Sequence, residues 1–174
     1  MLFRSQRGLA EIDRAIDDGA IGVAFDSSTQ GFSMFDPEIR LVLDHISKSE
    51  IPVYFHTGTP VNALPLQLSV LAQKYPSVNF IMGRSGRTDF RTDAIPAMRA
   101  SSNIFADTCH DYPDTGLLAL RDNIGFKRLI FTSDYPVETM DFGRSAISAM
   151  KIPDSEKEQI LGGNFAKLTA KGTF

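Results

Sequence analysis

A single cysteine in 174 residues rules out a framework of intrachain disulfides. Apolar runs are also short: none has the length needed to cross a bilayer. Low-complexity tracts and long charge runs are absent, and 43% hydrophobic against 22% charged residues is the balance of an ordinary globular domain. There is no excess of positive charge. A net charge of −3 argues against general nucleic-acid binding, which needs clustered Lys and Arg to neutralise phosphates. The opening "MLFRSQRGLAEIDRAI" carries charges where a signal peptide keeps its apolar run, so a cytoplasmic protein is expected. Neither GxGxxG nor GxxxxGK[ST] occurs, which removes the usual phosphate-cradling loops. The length suits one domain, expected to span 1–174.

What is present is an alternation. Leu9, Ile12 and Ile16 share a helical face, Gly19 allows a stop, and "IGVAF" (21–25) reads as a strand. Asp36 has the position of an N-cap, with Pro37 first in the helix and Ile39, Val42, Leu43 and Ile46 at helical spacing. Next come the strand "IPVYFH" (51–56), a helix marked by Leu64, Leu68, Leu71 and Tyr75, and the strand "VNFIMG" (78–83). A short helix near 93–101 precedes "NIFADT" (103–108). Asp114 is then expected to cap a helix through Leu117, Leu120 and Ile124, and Gly125 to end it. "KRLIFTSD" (127–134) reads as the last strand, and Ser155 and Glu158 have capping-box spacing before the final helix.

Strands alternating with helices through short loops predict an α/β fold with a parallel sheet joined by right-handed crossovers. About five strands are expected, each apolar enough to be covered on both faces. His56, Arg84, Asp107 and Asp134 all fall at or just past the C-terminal ends of predicted strands. Such ends converge on one mouth in a barrel, where active sites are built, so a parallel barrel is favoured over a doubly wound sheet.

The segments "GVAFDSSTQGFSMFDPEI", "IPVYFHTG", "NFIMGRSG", "NIFADT", "RLIFTSDYP" and "ILGGNFAKL", in this order, resemble the amidohydrolase-related family of metal-dependent hydrolases and decarboxylases. The resemblance implies a TIM-type (β/α)8 barrel, of which these segments look like strands four to eight. A full barrel needs about 250 residues. The expectation is therefore a partial barrel, lacking the family's HxH or ExH metal-binding pair on strand one. The resemblance makes His56 a metal ligand and Asp134 a ligand or the base that activates metal-bound water. A divalent ion, with zinc expected first, would lower the pKa of that water to about 7. The implied chemistry is hydrolysis of a C–N or C–O bond in a small carbonyl compound, with decarboxylation or a non-catalytic partial barrel as alternatives.

Where the family has histidine, this sequence has Arg84, a fixed cation. Three roles stand open for it: a fork for a substrate carboxylate, a partner for Asp134, or a solvent-facing charge. Arg84, Asp107 and His110 are the candidate substrate contacts, and His110 is also a possible further ligand. Asp26 and Asp107 read as structural rather than catalytic, His45 as a solvated helix residue, and Cys109 as a small loop residue near no base. Gly162, Gly163 and Asn164 read as tight packing rather than a phosphate loop. Open sheet edges lead to an expected homo-oligomer, or to pairing with a separate N-terminal half.

Overall fold

The computed structural model describes residues 6–87, 89–109 and 116–170. Five parallel strands form one sheet in the sequential order β1 (Val23–Phe25), β2 (Val53–His56), β3 (Phe80–Gly83), β4 (Ile104–Asp107) and β5 (Leu129–Ile130). Each crossover advances in the same direction. A doubly wound sheet would reverse its order at a switch point; this one runs on as an arc of a barrel.

Helices α1 (Gln6–Asp17), α2 (Ser27–Gln30), α3 (Pro37–Ile46), α4 (Pro65–Lys74), α5 (Ala94–Ala100), α6 (Leu118–Ile124), α7 (Met140–Ala149), α8 (Asp154–Glu158) and α9 (Asn164–Thr169) fill the intervals. One face of the sheet carries the core. Phe25, Val53, Phe55, Phe80, Met82, Ile104 and Ala106 pack with Ile39, Val42 and Leu43 of α3, Leu68 and Leu71 of α4, and Met98 of α5. The rings of Phe25, Phe55 and Phe80 step across three strands, with centroids 5.2 and 6.3 Å apart. Full burial of side chains of this size contributes roughly 1.5–3 kcal/mol each.

The other face departs from expectation. Ala24, Tyr54 and Ile81 stand in register across β1, β2 and β3, and with Ile130, Phe131 and Phe165 they line an apolar groove of about 520 Å³. Among the described residues α3, α4 and α5 pack on the core face, and this groove lies on the opposite face of the arc. The strands are also shorter than the apolar runs. "KRLIFTSD" gives a strand of two residues, because Lys127 and Arg128 close a 3-10 turn and the Phe131 N–H bonds to the carbonyl of Ile160 instead of a sheet neighbour.

Side-chain amides and a guanidinium satisfy the loop carbonyls. Asn103 Nδ2 donates to the carbonyls of Ala72, Tyr75 and Val78, and Arg128 Nη1 reaches those of Met98 and Ser101 at 2.9 Å each. Buried Asn164 donates to the carbonyls of Phe126 and Leu129, pinning β5 to the last helix. That bond explains the "GGN" run as packing.

The caps differ in detail. Pro37 opens α3 as expected, but the Asp36 carboxylate accepts from the Ser33 N–H and makes no side-chain bond to the helix N-terminus. α8 begins at Asp154 with Pro153 in the cap position, so Ser155 lies inside the helix. The expected cap at Asp114 lies outside the described residues. Pro96 is tolerated in the first turn of α5, where its missing N–H costs no helix bond.

Candidate functional site

A cleft of about 410 Å³ opens at the C-terminal ends of the strands, lined by Ala24, Phe25, Asp26, Gln30, Tyr54, His56, Arg84 and Asp134. Asp26 follows β1, His56 ends β2, Arg84 follows β3, and Asp134 lies past β5. The parallel topology alone therefore delivers four polar side chains from four different strands to one mouth.

Asp26 and His56 form the first pair. Asp26 caps α2, accepting from the Thr29 N–H at 3.0 Å and the Thr29 hydroxyl at 2.8 Å, and its Oδ2 lies 2.9 Å from His56 Nδ1. Burial alone would raise the Asp26 carboxyl, but the bonds from Thr29 and His56 together outweigh it and hold the group below the ordinary carboxylate range. An ionised carboxylate can only accept, so Nδ1 is the donor and the neutral ring keeps its lone pair at Nε2. Nε2 is buried and has no hydrogen-bond partner among the described residues. A carboxylate that fixes one imidazole nitrogen and leaves the other without a partner is the arrangement that orients metal-binding histidines.

Arg84 and Asp134 form the second pair, Nη2 to Oδ2 at 2.8 Å. Both residues have left-handed backbone, with φ of 59° and 56°, and Ser85 follows at 46°. For residues with a Cβ this costs of order 1–3 kcal/mol each. Bonds from flanking strands hold the turn: the Thr57 hydroxyl donates to the Gly83 carbonyl at 2.7 Å and accepts from the Gly86 N–H at 2.9 Å. Ser85 Oγ donates to the Asp107 carbonyl at 2.7 Å.

Asp107 corrects an expectation. It was named as a substrate contact as well as read as more structural than catalytic, and it is fully buried and absent from the cleft lining. Its Oδ2 accepts from Tyr54 Oη at 3.0 Å, and Cys109 Sγ lies 3.4 Å from Oδ1. Gly83 makes this possible: a Cβ there would fall 2.2 Å from the Tyr54 ring, so only glycine lets the phenol pass to Asp107. Burial is the dominant influence and pushes the Asp107 carboxyl up to about 6, against the opposing Arg84 backbone N–H, the Tyr54 hydroxyl and the Cys109 thiol. Burial likewise raises the Tyr54 phenol and the Cys109 thiol, with the charge of Asp107 adding to both.

Cys109 was expected near no base; it is buried against this carboxylate, and with its thiol pushed up it stays protonated. His45 was expected to be solvated; it is partly exposed, and its Nε2 lies 2.6 Å from the exposed Asp13 Oδ1, tying α3 to α1. His110 lies outside the described residues. Sequence reasoning missed the roles of Asp26 and Tyr54. The signal for Asp26 was available, since it follows a predicted strand just as Arg84 does.

Two residues lining the cleft, His56 and Asp134, are of types that suit a divalent ion chemically. They fall short of the three protein ligands typical of catalytic zinc, and no group of three or more His, Cys, Asp or Glu able to hold a metal occurs among the described residues. A guanidinium already bonded to Asp134 opposes a second cation there. These residues by themselves do not make a metal site.

A parallel arc with its polar residues at the strand ends is the layout of part of a barrel, and the comparisons give its family. The amidohydrolase family model matches residues 3–168, and the chain belongs to that family. It is similar to the gamma-resorcylate decarboxylase of Polaromonas sp. (strain JS666 / ATCC BAA-500), 28% identical over 133 residues that cover 66% of this chain and 41% of that protein. It is also similar to the gamma-resorcylate decarboxylase of Rhizobium sp. (strain MTP-10005), 23% identical over 210 residues covering 91% and 64%. The chain thus spans less than two thirds of these curated relatives. A solved dihydroxybenzoic acid decarboxylase from Polaromonas sp. JS666, with bound manganese and the inhibitor 2-nitroresorcinol, shares the fold at a TM-score of 0.73 and 16% identity, over 94% of this chain and 65% of that one. Five strands of an eight-stranded barrel are close to that share, so the expected partial TIM barrel is what the chain forms. That relative carries manganese where zinc was expected. No helix among the described residues is long and apolar enough to cross a membrane.

Proposed function

We propose that this chain carries part of the active site of a non-oxidative decarboxylase acting on a small hydroxylated aromatic acid. The observation that carries the reading is the cleft itself, where an oriented imidazole and a guanidinium–carboxylate pair meet at the strand ends. The decarboxylases among the relatives favour this chemistry over the C–N or C–O hydrolysis that the family resemblance first suggested. In such a reaction the bond from ring carbon to carboxylate breaks, carbon dioxide leaves, and the electron pair left on carbon takes a proton. His56 and Asp134 are the proton carriers at the cleft, and Arg84 is the group suited to the departing carboxylate.

Charge limits what can bind. Asp26 and Asp134 together outweigh Arg84 by one unit, so an anionic substrate needs one more positive charge in the cleft. A divalent ion would supply that charge, but His56 and Asp134 alone would not hold it, so further ligands would have to come from outside the described residues. Incubation with 2,6-dihydroxybenzoate, with and without Mn²⁺, tests the reading by chromatographic detection of resorcinol. Resorcinol formation that is lost in His56→Gln is expected. Turnover of esters or amides with no resorcinol overturns the proposal.

The Arg84–Asp134 pair favours a second reading, a partial barrel that keeps the pocket without the reaction. Binding of 2,6-dihydroxybenzoate with no turnover in either condition selects it.

A further inference from the structure

We propose that Gln30 is a specificity-determining residue of the cleft: its side-chain NH2 donates a hydrogen bond to the hydroxyl oxygen beside the carboxylate of a 2-hydroxybenzoate-type acid. The proposal rests on the decarboxylase reading above and adds to it the group that recognises the hydroxyl.

Gln30 ends the short helix α2 and stands half-buried in the cleft wall. Its side chain folds back onto the start of its own helix, where Oε1 accepts the Asp26 backbone N–H at 2.9 Å. A backbone N–H can only donate, so the amide oxygen must be the atom that meets it, and the NH2 is the other arm of the fork. That NH2 makes no hydrogen bond to any described residue. Capping the helix accounts for the oxygen of Gln30 and leaves its amide hydrogens without a use.

The other side chains of the cleft leave few donors. Tyr54 spends its hydroxyl hydrogen on Asp107 at 3.0 Å. His56 gives its Nδ1 hydrogen to Asp26 at 2.9 Å, and Nε2 of the neutral ring is an acceptor. Asp26 and Asp134 are carboxylates, which accept, while Ala24 and Phe25 have no polar side-chain atom. The donors that remain in the lining are the Arg84 guanidinium, bonded to Asp134 at 2.8 Å, and the Gln30 NH2. One is charged and the other is neutral.

A 2-hydroxybenzoate presents the matching pair of acceptors. Its hydroxyl hydrogen is held by the adjacent carboxylate of the same molecule, so the hydroxyl oxygen offers its lone pair outward. The guanidinium suits the carboxylate, and a neutral amide suits the phenolic oxygen. A carboxylic acid without the hydroxyl leaves the Gln30 NH2 unused.

The test is isothermal titration calorimetry of the full chain with 2,6-dihydroxybenzoate and with benzoate, which has the same carboxylate and no hydroxyl. The ratio of the two dissociation constants is the readout, because a general change in cleft charge affects both acids and cancels. The native chain is expected to prefer the dihydroxy acid, and Gln30→Met to reduce that preference about fivefold, the effect of losing one hydrogen bond. Gln30→Glu decides between recognition and capping. It keeps an oxygen for the Asp26 N–H but has no hydrogen to give, so the preference is expected to fall at least as far, with the circular dichroism unchanged. A native ratio in Gln30→Glu overturns the proposal, since the residue is then a cap alone. A preference for the dihydroxy acid that neither variant alters overturns it too, and leaves the decarboxylase reading standing. A native chain that binds neither acid overturns both.

Discussion

Arg84 and Asp134 meet at 2.8 Å, and each does so from a left-handed backbone that residues with a Cβ seldom adopt. Two strained residues from different loops converge on one bond, which is the pattern of a site whose geometry is held by its surroundings. His56 lines the same cleft, and its buried Nε2 has no hydrogen-bond partner among the described residues.

This pairing is expected to oppose metal binding at the cleft. Two unit charges 4 Å apart interact by about 4 kcal/mol at an effective dielectric of 20, and a tenfold change in affinity needs only about 1.4 kcal/mol. Arg84→Gln removes the repulsion without adding a ligand and should tighten Mn²⁺ or Zn²⁺ binding at least about tenfold, measured by chelator competition. Arg84→His should tighten it further by adding a donor. A native protein that already retains one tightly held zinc per chain would count decisively against this.

Stability should carry the signature of Asp107. Its carboxyl is raised from an ordinary 3.8 to about 6 by burial, so between those values the folded chain holds more protons than the unfolded chain. The group's contribution is then fully favourable below about pH 4 and is lost as pH rises through 6, a difference of roughly 3 kcal/mol. Asp107→Asn cannot show it. Urea denaturation of both proteins from pH 4 to 8 should find the native advantage over the variant greatest at pH 4 and shrinking by up to about 3 kcal/mol by pH 7. A gap that stays flat across that range excludes the assignment.

Gly83 is predicted to resist the smallest substitution. Its backbone is ordinary, so Gly83→Ala meets only the Tyr54 ring, 2.2 Å from the new carbon. Overpacking of this kind typically costs 1–3 kcal/mol. Equilibrium unfolding should register that loss, and the double variant Gly83→Ala/Tyr54→Ala should show less than the sum of the two single losses, because the clash is gone. Strict additivity would show that the ring and the glycine do not constrain each other.

Much of this architecture was legible in the sequence, for a physical reason. Apolar runs between helical stretches encode parallel strands, and parallel strands put their ends together, so His56, Arg84 and Asp134 could be placed at one mouth from spacing alone. Asp107 shows the limit. It sits at a strand end like the others, but whether such a side chain faces the cleft or the layer beneath depends on its neighbours. Here Gly83 opens a path for Tyr54, and no local pattern announces that. The covering of the sheet was also misread: apolar runs are the same whether their second face meets a helix or the inside of a barrel.

That second face leads to the last prediction. Ala24, Tyr54, Ile81, Ile130, Phe131 and Phe165 line a groove of about 520 Å³, and β1 and β5 each have one strand neighbour among the described residues. Beyond β5 the surface continues apolar through Tyr135, Val137, Met140 and Phe142, all more than half exposed. Unpaired strand edges beside an apolar concave face favour association, with a second copy or with a polypeptide that supplies the remaining strands. Sedimentation velocity of the isolated chain should therefore find dimers or larger species that grow with concentration. Ile21, half exposed, and Phe165 both line the groove, so Ile21→Glu and Phe165→Glu should shift the distribution toward monomer while leaving the far-ultraviolet circular dichroism unchanged. A native chain that sediments as a single monomer at high concentration would sink the idea, since it would show that water alone is a sufficient neighbour for this face.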